Sequence, residues 1–190
     1  MRIVFCGVGA LGSTAAHFCR NLDATLCFID FDRVESKNLQ AQWFVKQSVG
    51  KNKADALRLQ LANFYGVKSQ SFPRKLTRDN TAQLLADAAL VVDCFDNIAS
   101  RQLLSDHAAA SGAPLIHAAL AGDGTFGIVR WEQNFHADAE DEAGQATCEG
   151  GAHLPVIGLL GATIARAIQD FVTTGNRGDY MVSLSGVRRT

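Results

Sequence analysis

The sequence predicts an α/β fold in which a mostly parallel β-sheet carries helices on both faces and antiparallel strands at one edge. Four short apolar runs, residues 2–6, 25–30, 89–94 and 114–120, are bounded by Gly, Asp or Pro and alternate with helical patterns. Strands that are apolar on both faces are typical of parallel sheets covered by helices on each side. Residues 124–131 instead show strand alternation, which predicts an antiparallel strand at the far edge.

Helical patterns connect the predicted parallel strands. Residues 10–22 and 53–64 carry apolar residues at helical spacing, and each segment predicts an amphipathic helix. The apolar positions are Leu11, Ala15, Phe18 and Leu22 in the first helix, and Ala54, Leu57, Leu61 and Phe64 in the second. Residues 155–173 predict a buried helix with Pro155 in its first turn. A chain of 190 residues is too short for two full domains, so we expect one domain over 1–190.

The composition excludes several classes of function. The 18 Lys and Arg residues nearly balance the 19 Asp and Glu residues without a basic block, so neither nucleic acid nor an anionic membrane is an expected partner. The N-terminus enters a predicted strand at once, without the features of a signal peptide. The longest apolar stretch, residues 154–168, contains Gly158, Gly161 and Arg166 and falls short of the roughly 20 residues that span a membrane. These features predict a soluble protein.

The five cysteines, at positions 6, 19, 27, 94 and 148, include no CxxC pair. Cys6, Cys27 and Cys94 lie in or beside apolar runs, which favours buried thiols over a disulfide framework. The spacing also excludes a structural zinc site of the paired-CxxC type. We therefore expect a reducing compartment, the cytoplasm.

Gly7, Gly9 and Gly12 form a Gly-x-Gly-x-x-Gly motif directly after the first predicted strand and at the start of the first predicted helix. Glycines allow the backbone to approach phosphate groups, and the helix N-terminus offers free N–H groups and a partial positive charge. This context indicates a Rossmann-like nucleotide-binding fold. A glycine-rich turn without a ligand is the alternative.

Asp30 ends the second predicted strand, where a carboxylate can accept hydrogen bonds from the ribose hydroxyls of ATP or of NAD. Asp32 and Asn38 follow in a polar segment for which an oxidoreductase has no general need. A solvated turn is the alternative for each of these two residues taken singly.

A second acidic group, Asp93 and Asp96, follows the buried run 90–92. This position is the carboxyl end of a predicted parallel strand, where ligands bind in open α/β sheets. Carboxylates this close together repel one another unless a cation or a proton intervenes. Helix capping by Asp96 or Asn97 is the alternative.

Five blocks of residues, taken together and in order, resemble the ThiF/MoeB family, the bacterial relatives of ubiquitin-activating enzymes. The resemblance extends over nearly the whole chain. The blocks are Gly7, Gly9 and Gly12; Asp30-Phe31-Asp32 with Val34-Glu35; Asn38-Leu39-Gln40 with Gln42; Gly50-Lys51-Asn52-Lys53; and Asp93-Cys94-Phe95-Asp96-Asn97 with Arg101. A sixth and weaker block is Cys148-Glu149-Gly150, followed by residues 155–158.

The resemblance implies a homodimeric enzyme that uses ATP and Mg²⁺ to adenylate a carrier protein. The carrier would be a small ubiquitin-like or sulfur-carrier protein of the β-grasp type, activated at the carboxylate of its Gly-Gly tail. The implied site consists of Asp30 for the ribose, Asn38 and Gln42 for the phosphate end of ATP, Lys53 for the phosphates, Asp96 for the metal ion, and Asp32 and Asn97 as further nucleotide contacts. Because both reactants are anions, the transition state needs cations, which supports Lys53 and Mg²⁺ in these roles. An ordinary surface lysine at a helix start is the alternative for Lys53.

The chain departs from the family pattern at three points. Ala41 stands where the family usually has an arginine, and the usual N-terminal helices with a second arginine are not seen before the first strand. The zinc-binding cysteine pairs of many members are also missing. Either Lys46, Lys51 or Arg33 substitutes for the lost charges, or the protein binds nucleotide and turns over slowly, or it depends on a partner.

Cys148 lies in residues 135–151, a stretch rich in acidic and small residues that predicts a loop. In related enzymes a cysteine in this region can bond to the carrier or to sulfur, so Cys148 is a candidate for a covalent catalytic step. The acidic neighbours would raise the pKa of its thiol. A loop residue without function is the alternative, and a metal site formed with His136 and His153 is irregularly spaced.

Two other functions remain open at the level of the sequence. One is a noncatalytic nucleotide-binding subunit that docks a ubiquitin-like protein or an activating partner, which the missing arginines favour. The other is a Rossmann oxidoreductase using NAD or FAD, which the glycine motif and Asp30 allow. No Tyr-Lys pair typical of hydride transfer accompanies them, and Lys53 and Asp96 would then have no role.

Overall fold

The computed structural model describes residues 1–131 and 153–190. In this part of the chain the strands are β1 Arg2–Cys6, β2 Thr25–Ile29, β3 Ser69–Phe72, β4 Leu90–Asp93, β5 Leu115–Leu120, β6 Phe126–Trp131, β7 Tyr180–Ser183 and β8 Gly186–Arg189. The α-helices are α1 Ala10–Phe18, α2 Lys53–Tyr65, α3 Arg78–Leu84, α4 Ile98–Ser111 and α5 Leu154–Thr174. The strands form one sheet in the order β3-β2-β1-β4-β5-β6-β7-β8.

The predicted α/β architecture is confirmed. Strands β1 to β5 pair in parallel, and β6, β7 and β8 pair antiparallel at one edge. The change of direction follows from the short connection between β5 and β6, where the N–H of Ala121 bonds to the carbonyl of Phe126. A connection this short joins only antiparallel neighbours.

The parallel strands separate two hydrophobic layers. Along β1, Ile3 and Phe5 face the layer covered by α1, α2 and α5, while Val4 and Cys6 face the layer covered by α3 and α4. This alternation is the period-2 geometry of a strand that is buried on both faces. Because β2, β1 and β4 are parallel neighbours, their carboxyl ends lie side by side at one edge of the sheet.

Two residues of the predicted apolar helix faces, Phe18 and Phe64, are exposed in the structure. Helix α1 ends at Phe18 instead of continuing to 22, because the N–H of Cys19 bonds to the carbonyls of both Ala15 and Ala16 and closes a tight last turn. The Phe18 side chain is 40% exposed. Phe64 is 63% exposed although it shares a face with Leu57 and Leu61, because it lines an open cavity beside α2 instead of meeting the sheet.

The predicted helix at 155–173 is confirmed, but its glycines do not interrupt it. Helix α5 has 21 residues and is long and apolar enough to span a membrane by length and composition alone. Half of its apolar window is buried inside the protein, against α1, β6 and β7. Its hydrophobicity is therefore explained by a place in the core.

The packing of α5 on α1 requires a glycine. A Cβ atom at Gly161 would lie 2.4 Å from Cγ2 of Thr14, well inside van der Waals contact. At Gly158, one turn earlier in α5, a Cβ atom would meet nothing within 4 Å.

We expect Gly161→Ala to lower the free energy of unfolding by about 1–3 kcal/mol, because the added methyl group separates α1 from α5. The matched control is Gly158→Ala, which should raise the free energy of unfolding by roughly 0.5–1 kcal/mol through better helix propensity. Denaturant unfolding measures both. Equal effects of the two substitutions would contradict the close approach of the helices.

Candidate active site

The predicted site residues converge at the carboxyl ends of β1, β2 and β4. The glycine loop follows β1, Asp30 and Asp32 follow β2, and Asp96 follows β4. Because the three strands are neighbours in the parallel part of the sheet, their loops meet at one edge.

Different features of the structure explain why glycine occupies each of the three positions of the loop. Gly7 has φ +84°, and a Cβ atom there would lie 2.9 Å from the carbonyl oxygen of Cys94. A Cβ atom at Gly12 would lie 2.0 Å from the carbonyl oxygen of Gly7. At Gly9 the nearest atom is the side-chain Nε2 of Gln42, at 3.9 Å. Gly7 and Gly12 are therefore required by the fold, whereas Gly9 leaves open space in front of the first turn of α1.

The carboxylate of Asp30 organises this loop from inside. Its Oδ2 accepts a hydrogen bond from the N–H of Val8 at 2.9 Å, and its Oδ1 accepts one from the N–H of Asp32 at 2.9 Å. Burial raises the pKa of this carboxyl, while the Val8 hydrogen bond and the nearby charge of Lys53 act in the opposite direction. Each carboxylate oxygen can accept a further hydrogen bond, so the predicted role of Asp30 at a ribose remains compatible with this arrangement.

Lys53 is held at the same edge and is not an ordinary surface lysine. Its side chain is only 11% exposed, and its Nζ lies 3.1 Å from Oδ2 of Asp32. The start of α2 is fixed by Asn52, whose Oδ1 accepts the N–H of Asp55 and whose Nδ2 donates to the carbonyls of Asp30 and Asp32. The sequence therefore places one ammonium group, with its position fixed, beside the strand ends.

Asn38 and Gln42 lie in the segment that follows β2. Asn38 is buried, and its Oδ1 accepts the N–H of Glu35 at 2.9 Å in the capping box of a 3₁₀ helix, Ser36–Gln40. Gln42 extends its amide toward Gly9, and its Oε1 is buried without a hydrogen-bond partner among the described residues. Gln42 therefore has hydrogen-bonding capacity left for a ligand near the glycine loop.

The polar residues at the β4–α4 connection lie in three different environments. Asn97 caps α4 through a hydrogen bond from the N–H of Ser100 at 2.9 Å, so the capping alternative is confirmed for Asn97. Asp96 is exposed at the strand end. Asp93 points inward, where its Oδ2 lies 2.7 Å from Nδ1 of His117 on β5. The Asp93 carboxylate is thus bound by a histidine that the sequence did not assign to the site.

The described residues contain no cluster of three or more His, Cys, Asp or Glu side chains able to hold a metal ion. A magnesium ion bound together with a nucleotide takes one or two protein carboxylates beside phosphate oxygens. The exposed carboxylate of Asp96 fits that donor set.

Several sequence predictions are only partly covered by the described residues. Cys148 lies outside them, as does His136 of the irregular metal site. Ala41 is buried, and the exposed Arg33 donates one hydrogen bond to the carbonyl of Gly50. The predicted burial of the thiols is confirmed for Cys6 and Cys27, while Cys94 is partly exposed. The four described cysteines form no disulfide bond. Burial raises the pKa of each of these thiols, to about 12 for Cys19.

A cavity of about 580 Å³, lined in part by Gln42, adjoins the site. Its walls include Trp43, Phe64 and Tyr65, and Trp43 stacks on His17 with ring centroids 4.0 Å apart. The backbone N–H of Trp43 bonds to Oγ of Ser13 in α1. The cavity therefore borders α1, and the strand-end carboxylates are not among its lining residues.

The model of the ThiF family matches residues 1–185 of the chain. The adenylyltransferase and sulfurtransferase UBA4 of Meyerozyma guilliermondii is 30% identical over 169 residues, which are 84% of this chain and 40% of that protein. The sulfur carrier protein ThiS adenylyltransferase of Escherichia coli is 28% identical over 169 residues, 84% of this chain and 67% of that protein. The chain spans less than half the length of the UBA4 relatives it matches.

Solved structures share the fold at lower identity. Escherichia coli MccB, solved with MccA-N7isoASN, has a TM-score of 0.80 at 16% identity and covers 100% of this chain and 64% of its own. The same protein solved with ATP has a TM-score of 0.77 at 15% identity, with coverage of 100% and 62%. PaaA has a TM-score of 0.77 at 18% identity, with coverage of 100% and 63%.

We expect Gly9→Ala to weaken nucleotide binding about tenfold or more, a loss of roughly 1.4 kcal/mol, while changing the free energy of unfolding by less than about 1 kcal/mol. The added methyl group meets open space in the protein, and we expect it to obstruct the approach of a phosphate group. Calorimetric titration with ATP and denaturant unfolding measure the two effects. Gly7→Ala is the comparison, and it should lower stability by about 1–3 kcal/mol because of its positive φ and its contact with Cys94. Undiminished ATP affinity in Gly9→Ala would show that the loop does not approach phosphates.

Proposed function

The chain belongs to the ThiF family, and on that premise we propose that it uses ATP and Mg²⁺ to adenylate the C-terminal carboxylate of a small ubiquitin-like or sulfur-carrier protein. The names of its relatives support this reaction class, since UBA4 and the ThiS-directed enzyme are both called adenylyltransferases. The MccB structure with ATP supports ATP as the nucleotide. A β-grasp carrier with a Gly-Gly tail is the partner we propose.

The observation that carries the proposal is the position of Lys53. Its nearly buried ammonium group lies at the same sheet edge as the open backbone of Gly9 and the carboxylate of Asp30. An oxidoreductase that binds a dinucleotide has no general need for a fixed cation there. Transfer of an adenylyl group does need one, because the carboxylate and the polyphosphate are both anions.

In the proposed reaction a carboxylate oxygen of the carrier attacks the α-phosphorus of ATP. The bond from the α-phosphorus to the bridging oxygen breaks, and pyrophosphate leaves with the electron pair. Lys53 and the free N–H groups at the start of α1 would stabilise the charge on the phosphates. Asp96 would hold Mg²⁺, which when bound neutralises charge on the departing pyrophosphate.

A noncatalytic nucleotide-binding subunit is the second candidate, and Ala41 favours it. The side chain at this position is a buried methyl group, so it supplies none of the positive charge that an arginine would bring. Such a subunit would bind ATP and dock a ubiquitin-like protein or an activating partner. Adenylate formation by the purified chain alone separates the two candidates.

We also propose that the protein is a homodimer and that it works in the cytoplasm. The four free cysteines of the described residues support a reducing compartment. A molar mass in solution near 20.4 kDa, that of one chain, would contradict the dimer.

The reaction is tested by exchange of labelled pyrophosphate into ATP in the presence of candidate small proteins that end in Gly-Gly. We expect exchange only with the carrier and Mg²⁺ present. Thermal stabilisation by ATP with Mg²⁺, but not by NAD, should accompany it. Stabilisation by NAD alone would support the oxidoreductase instead.

We expect Asp96→Ala to abolish Mg²⁺-dependent pyrophosphate exchange while leaving the fold intact, because an exposed strand-end carboxylate contributes charge and not core packing. The control is Asp106→Asn, which removes an exposed carboxylate on α4 that bonds only to Gln102 among the described contacts. The control should exchange at the wild-type rate. Wild-type exchange by Asp96→Ala would rule out the assignment of Asp96.

For the covalent step we propose attack of the Cys148 thiolate on the acyl adenylate, which forms a thioester and releases AMP. Cys148→Ser should therefore preserve pyrophosphate exchange and eliminate the thiol-sensitive link to the carrier, since adenylation needs no sulfur nucleophile. Non-reducing electrophoresis with and without thiol detects the link. A link of unchanged amount in the variant would exclude Cys148.

A further inference from the structure

We infer that His117 is a positioning residue for the cation side of the site, acting through Asp93 and Arg101 on the loop that carries Asp96. The inference rests on the proposed function, because it concerns how that site holds a metal-bound nucleotide.

His117 and Asp93 form a buried pair on adjacent parallel strands. Asp93 is the last residue of β4 and stands directly beside His117 in the register of β5. The Asp93 residue is 1% exposed and His117 is 5% exposed, and Nδ1 of the histidine lies 2.7 Å from Oδ2 of the aspartate. A contact this short between buried polar groups is a strong hydrogen bond.

Arg101, from α4, fixes the direction of that hydrogen bond. Its Nη1 lies 3.2 Å from Nε2 of His117. A guanidinium group only donates hydrogen bonds, so Nε2 is the acceptor and Nδ1 carries the proton that is donated to Asp93. The imidazole therefore joins a buried carboxylate to a guanidinium group, and the opposite charges of Asp93 and Arg101 offset each other.

The cluster holds the loop after β4 from both sides. Oδ1 of Asp93 accepts the N–H of Phe95 at 3.0 Å. Arg101 donates from Nε and Nη2 to the carbonyl of Phe95 at 2.8 and 2.5 Å. The carbonyl of Phe95 belongs to the peptide unit that enters Asp96, so the cluster sets where the Asp96 carboxylate stands.

The same loop also supports the glycine loop. The N–H of Cys94 bonds to the carbonyl of Cys6, and the Cys94 carbonyl and the Phe95 ring are the atoms that a Cβ at Gly7 would meet. A shift of Phe95 would therefore move the loop after β4 relative to the glycine loop. Residues that orient a metal ligand in this indirect way typically change metal affinity roughly 10- to 100-fold when they are replaced.

A stabilising role alone does not explain the cluster. Well-packed apolar residues of similar volume are often as stabilising as a buried charged group with its partners. The value of this cluster lies in a fixed loop geometry, which an apolar replacement cannot supply. This distinction can be measured, because a change in geometry should affect the bound cation more than the bound nucleoside.

The experiment compares ATP binding by calorimetry in excess Mg²⁺ and in a metal chelator, for the wild type, His117→Leu and His117→Gln. In Mg²⁺ we expect His117→Leu to lose roughly 10- to 100-fold in ATP affinity. In chelator the ATP affinity of His117→Leu should differ from that of the wild type by less than about twofold. His117→Gln, whose amide can donate to Asp93 and accept from Arg101, should recover most of the Mg²⁺-dependent affinity.

His107→Leu is the matched control, since His107 lies on α4 like Arg101 but outside the cluster. This variant should bind ATP as the wild type does in both conditions. Equal losses with and without Mg²⁺ in His117→Leu would show a merely structural role and overturn the inference, as would wild-type binding in both conditions. If His117→Leu does not fold, Arg101→Gln keeps the His117–Asp93 pair and should show the same selective loss. A wild-type protein without any Mg²⁺-dependent ATP binding would contradict the proposed function itself.

Discussion

One buried carboxylate, that of Asp30, connects the segments on which the strand-end site depends. It accepts hydrogen bonds from Val8 in the glycine loop and from Asp32, while Asn52 at the start of α2 bonds to the Asp30 carbonyl. Burial raises the pKa of this carboxyl above its ordinary value. A group whose pKa is raised by folding contributes its stability at low pH and loses it as the pH rises through the folded-state pKa. The burial of Asp30 therefore costs part of the folding free energy at pH values above that pKa.

The second constraint is the close contact between the loops after β1 and β4. Gly7 and Gly12 bring the backbone of the glycine loop against itself and against Cys94. The two loops thus form one unit at the edge of the sheet, with Lys53 reaching the same edge from α2 through its ion pair with Asp32. In physical terms the N–H groups of the glycine loop, the ammonium group and the exposed Asp96 are carried by segments that contact one another directly.

The sequence predicts most of the parallel sheet because β1, β2, β4 and β5 are apolar on both faces. It misses β3, whose Ser69–Phe72 segment is mostly polar and pairs only at an edge, and it misses the short hairpin of β7 and β8. The motif residues of the site are readable because glycines and strand-end carboxylates have a local pattern. His117 has no such pattern, since its partnership with Asp93 depends on the register between β4 and β5. A histidine within the otherwise apolar strand β5 was the available signal, and spacing along the chain could not reveal its partner.

The edge strand β8 also affects how readily the protein aggregates at high concentration. An exposed edge strand offers unpaired N–H and C=O groups to any neighbouring chain and so invites aggregation. In the described sheet β8 is an exposed edge strand of only four residues, two of which are Arg188 and Arg189. Two like charges on so short a strand repel an identical edge from another molecule. Protein concentrated for crystallisation or expressed at a high level should therefore resist fibre-like stacking along this edge, and the protection should weaken as added salt screens the arginines.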